Sequence, residues 1–419
     1  MKHLLFINSS KKLESSFERF FPDSFAYTLY LPIYKHLKNN LRYNHVFKSR
    51  YILNSIINQY GYHNYKIKVF DTKYKNIKYK KVFIKSIEIL GKTLYKKTDI
   101  DNLKLRDFYI PNMDIDIISD NINSIHSPYV IETFVTFLLS ECVTNNEIHH
   151  FPIYYGSFSY MEKNKKNNYE SYNKLVMEKM IDDFTHICYE KTELSQLKKK
   201  EDEYYKSKDK DSDEFIYKTN NYFIGYIFQI LYSINFMWKK YNITHNDLHL
   251  NNIMFKHTDL KNIEYKLNNK KYLIPTNNKM IKIIDFGRAC AKYKHIELHN
   301  SIFNKDGDCY NQYYLSDNND IHLKSVKPRP INDVIMFLHD LYSRFELDDN
   351  LKQFCEKYLL DSDNNLVEFD NDSFDKYINI SHINWKTKSI DKILKDKIFD
   401  KYLQKSKKKF KKKLRRKLN

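Results

Sequence analysis

Over residues 65–69 and again over 78–89, Lys or Tyr alternates with Val, Ile and Phe, the period of strands with one buried face. These runs predict a small antiparallel sheet. Ahead of them, residues 29–41 and 46–57 space their apolar positions as helices do, with Pro22 and Pro32 as breaks, so residues 1–60 are expected to form a helical accessory segment. From Ser127 onward, Val130, Phe134, Phe137 and Leu138 recur at three- and four-residue spacing, with Ser127 and Pro128 suited to a cap and first turn. Two further strands are predicted at 151–158 and 174–180. A second helix carries Phe223, Ile227, Ile230, Leu231 and Ile234 on one face, and a third is expected over 333–345.

Composition supports folded cores: 42% of the 419 residues are hydrophobic. The most apolar stretches, 129–143 and 222–238, contain Glu132 and Glu141 in the first and Gln229 and Asn235 in the second. They read as buried helices, so no transmembrane segment is expected, and the apolar run at residues 4–7 is too short for a signal-peptide core. The 5 cysteines are scattered, without metal-ligand spacing, which suits buried thiols in a reducing compartment and no zinc site. With 36 Tyr and 28 Phe against 6 Gly, codon bias accounts for the aromatic abundance, which carries little information about chemistry.

Charge is unevenly placed. The segment near 191–218 is crowded with Lys, Glu and Asp and reads as a solvated insertion. Lys405 to Lys417 holds ten basic residues, about half of the formal net charge of +19. Such a tail is either a solubilising extension or a salt-sensitive contact for nucleic acid, anionic membrane or acidic protein.

The chemistry concentrates in two segments, His245-Asn246-Asp247-Leu248-His249-Leu250-Asn251-Asn252 and Ile284-Asp285-Phe286-Gly287. Together they offer a carboxylate able to receive a hydroxyl proton, an amide oxygen five residues later, and a second carboxylate beside a glycine. Metal-assisted phosphoryl transfer requires these groups.

On these residues the chain resembles protein kinases over roughly 78–342. Thr244 to His249, Lys282 to Ala289, and Asp306-Gly307-Asp308 ahead of Gln312-Tyr313 make it similar to the serine/threonine kinases of large nucleocytoplasmic DNA viruses. The resemblance implies an α+β, two-lobed kinase-like fold: a small antiparallel-sheet N-lobe with one main helix, and a larger, mostly helical C-lobe. It divides the chain at 61–180 for the N-lobe and hinge, 181–400 for the C-lobe, and 401–419 for the basic tail. ATP and Mg²⁺ are the implied cofactors and a protein hydroxyl the implied acceptor, with host cytoplasm, viral factory or virion as the location.

Residue by residue, the resemblance makes Asp247 the proton acceptor, and Asn252 and Asp285 the metal ligands. In Val82-Phe83-Ile84-Lys85, Lys85 would contact the phosphates and share a strand face with Phe83. Glu132 and Glu141 both qualify as the glutamate that orients Lys85; Glu132 is chosen for its place in the first turns of the helix. In the hinge-like 175–180, Met177 would border the adenine, with the Glu178 carbonyl and the Met180 amide pairing to its edge. Asp182 or Asp183 would face the ribose. Asp333 would support the catalytic loop or cap a helix.

The departures are specific. No glycine-rich loop precedes Lys85, so Lys and Tyr side chains would have to cover the phosphates. Asn246 replaces the usual arginine, which argues against switching by a phosphorylated activation loop, and His249 stands where a lysine is usual. The stretch from Asn252 to Asp285 is long, with a hairpin turn expected at Asn268-Asn269. Three alternatives remain open: a small-molecule kinase of the aminoglycoside or choline type, a pseudokinase that binds without turnover, and an electrostatic binding protein in which the basic tail dominates.

Overall fold

A computed structural model describes residues 19–20, 24–28, 33, 49–89, 124–163, 169–184, 217–218, 223–304, 307–309, 312, 328–367 and 375–404. All but residue 33 of the predicted helix at 29–41, nearly all of the charged insertion and the basic tail at 405–417 lie outside them. The chain is mixed α/β and divides into two compact units. The first comprises Met1–Met180, Met237–Asp247 and Lys282–Arg329, and the second Ile181–Phe236, Leu248–Ile281 and Pro330–Asn419.

The first unit is built on a six-stranded antiparallel sheet. Its strands are β1 (Ser24–Thr28), β2 (Tyr51–Gly61), β3 (Asn64–Asp71), β4 (Asn76–Glu88), β5 (Tyr154–Lys163) and β6 (Tyr169–Glu178), in the order β1-β5-β6-β4-β3-β2. Alternation decides which face is buried. Ile67 and Val69 on β3, Val82 and Ile84 on β4, and Val176 on β6 pack with Tyr155 and Phe158 in one apolar cluster. Each fully buried side chain of this kind stabilises the fold by about 1.5–3 kcal/mol relative to exposure.

Residues 51–61 correct the expectation of a helical segment up to residue 60, because they form β2, paired with β3 along its length. The pairing shifts between Leu53 and Ser55 and again between Ile56 and Asn58. Each bulge inserts a residue, so the inward positions Tyr51, Leu53 and Ile56 fall at intervals of two and three rather than two and two. Together with the apolar Ile52 and Ile57, that spacing imitates a helix.

The helix α1 (Pro128–Thr144) follows β4 in the chain. Pro128 sits in its first turn as expected, but Ser127 caps it through the backbone alone, its carbonyl accepting from the amides of Val130 and Ile131. Polar side chains fix its rotation against the sheet: Asn173 Nδ2 donates to Thr133 Oγ1 at 2.8 Å, and Ser159 Oγ donates to Asn173 Oδ1 at 3.1 Å.

Glu141, near the end of α1, sits beside Arg50, whose backbone amide donates to Oε1 at 3.4 Å. Burial pushes its carboxyl up to about 7, against the opposing pull of Arg50. A carboxyl with a folded pKa above its unfolded one holds its proton longer in the native state, so stability falls as pH rises from about 4.5 toward 7. Glu141→Gln, which keeps an acceptor oxygen, is expected to remove about 1–2 kcal/mol of that decline. Urea unfolding of both proteins at about pH 5 and about pH 8 checks it; parallel losses in the two would refute it.

In the second unit, Phe184 stacks on Phe255 at 5.9 Å between ring centroids, and Phe223 meets Phe345 at 5.1 Å. The long helix α2 (Phe223–Tyr241) begins here and continues by its last turn into the first unit. Asn262–Leu267 and Lys270–Pro275 form the expected hairpin, turning through Asn268 at φ +46°, a left-handed conformation that asparagine tolerates better than most residues. The helix α3 (Pro330–Arg344) is buried over most of its length. Among the described residues no helix is long and apolar enough to cross a membrane.

Candidate functional site

The alternation of β4 that sends Val82 and Ile84 into the core leaves Phe83 and Lys85 on the opposite face. There Lys85 Nζ lies 2.6 Å from Glu132 Oε1 and 2.8 Å from Asp285 Oδ1. Three residues from distant parts of the sequence thus form one ion cluster within the first unit. Of the two candidate glutamates it is Glu132 that meets Lys85; Glu141 lies against Arg50.

Burial works against the charge of Lys85, but the carboxylates of Glu132 and Asp285 outweigh it and hold the lysine above its ordinary value. Glu132 is itself pushed up to about 7 by burial, against the pull of Lys85. For Asp285, burial is again the opposing influence, and the Lys85 ammonium keeps its carboxyl below the usual range. Asp285 is therefore an anion, with 39% of its side chain exposed.

Hydrogen bonds zip the Asp285 segment to the Asp247 segment. Thr244 and Cys290 exchange backbone bonds of 3.0 and 3.1 Å. His245 Nε2 donates to the Ile284 carbonyl at 2.8 Å, which fixes that nitrogen as the protonated one, since a carbonyl can only accept. Asn246 Nδ2 donates to the Arg288 carbonyl at 2.8 Å, and the carbonyl of Asn246 accepts from Gln312 Nε2 at 3.2 Å. Asn246, where an arginine is usual, therefore holds backbone.

Asn246 and Asp285 both adopt left-handed backbone conformations, with φ of +63° and +65°. Non-glycine residues accept this conformation at some cost, and such residues cluster at functional sites. Gly287 has its own reason: a Cβ there would meet Asp285 Oδ1 at 3.3 Å and Glu132 Oε2 at 3.4 Å. Beneath the segment, Phe286 lies 5.1 Å from the His245 ring and 6.2 Å from Phe151, anchoring the turn that presents Asp285. Asp247, two residues past His245, lies 3.5 Å by Oδ1 from Arg288 Nη1.

The other expected residues are divided between the two units. The amide of Glu178 donates to the Ile153 carbonyl at 2.9 Å. Met177 is buried, and Met180, half-buried, ends the first stretch of that unit. Within the second unit, Asp182 and Asp183 pair with Ile253–His257, and Asn252 is buried on a 3₁₀ turn with Nδ2 3.2 Å from His249 Nε2. Asp333 lies inside α3, past its start at Pro330, and is not its cap. Tyr62 and His63 form the tip between β2 and β3, the Tyr62 ring exposed and His63 5.4 Å from Phe83.

Three groups escaped the sequence reading. Glu178 pairs through Oε2 with Lys282 Nζ at 3.0 Å, both side chains almost wholly buried, and Lys282 also donates to the Phe151 carbonyl at 2.8 Å. The one available signal was a lysine embedded in the apolar run before Asp285. In the second unit, the amide of Leu250 donates to Asp340 Oδ2 at 3.0 Å, so Asp340 helps to hold the loop around Leu250. An acid in the apolar middle of α3 marked it. Arg288 is the third.

A magnesium ion takes oxygen ligands, keeps several waters, and is bound through one or two carboxylates plus substrate phosphates. The half-buried, ionised Asp285 fits that role. Among the described residues no group of three or more His, Cys, Asp or Glu could hold a metal by itself, so phosphate and water would have to complete its shell.

No protein-family profile and no curated protein matches this chain. Among solved structures it is similar to a crystallised kinase domain, at 17% identity and a TM-score of 0.21, over 60% of this chain and 56% of that one. This chain therefore spans little more than half of that neighbour, and a likeness at such a TM-score carries no functional weight.

Proposed function

We propose that the protein is an ATP-dependent phosphotransferase of the protein kinase type, acting on serine or threonine hydroxyls of a protein. The observation that supports this most is the placement of Lys85 Nζ within 2.8 Å of both Glu132 and Asp285, in the unit that also carries Asp247. An ammonium held charged between two carboxylates is suited to gripping phosphate. The antiparallel sheet with its single main helix supports a kinase N-lobe, and the two-lobed arrangement is proposed from the resemblance alone.

In this reading Lys85 binds the α- and β-phosphates and Glu132 orients it. Asp247 takes the acceptor's hydroxyl proton as its oxygen attacks the γ-phosphorus and the bond to the β-phosphate oxygen breaks, leaving ADP. Magnesium would be held by Asp285, with Asn252 as a further ligand on sequence spacing alone, and would neutralise charge on the phosphate oxygens. The Glu178 carbonyl and Met180 amide would meet adenine. The viral affiliation, the locations that go with it, and the tail's contacts to nucleic acid or membrane rest on sequence alone.

The test is incubation of the full chain with magnesium and γ-labelled ATP, offering a Ser/Thr peptide library in one arm and sugars and amino alcohols in the other. Label is expected in the peptides. Label confined to the small molecules would move the acceptor class to the aminoglycoside or choline type, and none in either arm would leave a pseudokinase.

A further inference from the structure

Protein kinases usually carry cations at the positions held here by Asn246 and His249. Lys85 is committed to Glu132 and Asp285. Yet the phosphoryl group in flight spreads negative charge over three oxygens, and electrostatic stabilisation there is commonly the largest contribution to rate.

The structure brings a guanidinium to this place. Arg288 Nη1 lies 3.5 Å from Asp247 Oδ1, with about a quarter of its side chain exposed. Its backbone is fixed from both sides: Asn246 Nδ2 donates to the Arg288 carbonyl, and the neighbouring Gly287 and Ala289 carbonyls accept from Asn300 Nδ2 at 2.8 and 3.2 Å. The asparagine that replaced one cation therefore steadies the residue that delivers another. Asp308 and Cys309 complete the surroundings: burial pushes the Cys309 thiol up to about 11, with Arg288 opposing and Asp247 and Asp308 adding to the rise.

We infer, resting on the phosphotransferase reading, that Arg288 is a catalytic residue whose guanidinium leaves Asp247 for the transferring phosphoryl group. Before nucleotide binds, the pair neutralises two charges. When the γ-phosphate arrives between them, the planar fork of donors can bind two of its oxygens, which a lysine cannot do, and Asp247 is released to accept the hydroxyl proton.

The experiment uses the full chain, magnesium, γ-labelled ATP and the Ser/Thr peptide library, with Arg288→Met, Arg288→Lys and Arg288→Ala beside wild type and Asp247→Asn. Arg288→Met is expected to lower kcat about 100-fold with KM for ATP within about threefold. Arg288→Lys should keep part of the rate, and guanidinium ion in solution should restore part of it to Arg288→Ala but none to Asp247→Asn. Calorimetry gives a readout independent of turnover: Arg288→Met should bind magnesium ADP normally and its aluminium fluoride complex about 100-fold more weakly. Unchanged kcat, or equal weakening of both complexes, overturns the role of Arg288 while leaving the kinase reading intact. Wild-type transfer no faster than that of Asp247→Asn overturns both.

Discussion

Asp247→Asn is expected to lower phosphoryl transfer to peptide by about 10³-fold while leaving the thermal midpoint almost unchanged. A positioned general base contributes about 10²–10⁴ to rate, and an asparagine of the same shape cannot receive the hydroxyl proton. The structural cost is expected to be small because asparagine keeps the shape of the side chain, and the contact of Asp247 with Arg288 is loose at 3.5 Å. Other residues also hold the loop: Thr244 with Cys290, His245 with Ile284, and Asn246 with Arg288. A loss of kcat with KM for ATP and the unfolding midpoint preserved therefore isolates chemistry from folding. Transfer undiminished in the variant would remove Asp247 as the base, and with it the central assignment.

The first unit was legible wherever burial is one-sided. Strands β3 and β4 were read directly because each buries alternate residues, and β4 in turn predicted that Lys85 and Phe83 share a face. The helix α1 was legible from spacing, although its surroundings bury both sides and its polar residues reach the sheet rather than solvent. Residues 51–61 were misread because bulges disturb the period that defines a strand, and a bulge depends on the partner strand, which local sequence does not contain.

Of the site, the residues with a fixed chemical signature were legible and their counterparts were not. Lys85, Asp247 and Asp285 stand in recognisable motifs, while the choice between Glu132 and Glu141 needed only a helix position. Arg288, Lys282 and Asp340 take their meaning from partners 41, 104 and 90 residues away, namely Asp247, Glu178 and Leu250. In a chain with 71 lysines and arginines, no local pattern distinguishes the few that are buried. Asp340, seven residues beyond Asp333 on α3, accepts from the Leu250 amide, a bond that no motif announces.

The pair Lys282–Glu178 gives the largest expected change in stability, and that change depends on pH. Burial brings the Lys282 ammonium down to about 7, so between about pH 7 and 10.5 the native state binds fewer protons than the unfolded one. Stability from this group therefore rises with pH through that window. Glu178→Gln leaves Lys282 without its carboxylate, at a cost of about 3–5 kcal/mol near pH 6, where the ammonium is charged. Above its folded pKa the lysine sheds the proton, keeps its bond to the Phe151 carbonyl, and the cost declines. Lys282→Met removes the titrating group itself, so that variant is expected to lack the rise of stability with pH that this lysine gives the wild type. Urea unfolding at about pH 6 and about pH 9 is expected to show the cost of Glu178→Gln shrinking at the higher pH, with the double variant Glu178→Leu/Lys282→Met closer to wild type than either single one. A cost that is small and equal at the two pH values would mean that the interior around β6 solvates these charges, and that the pair is no more consequential than a surface contact.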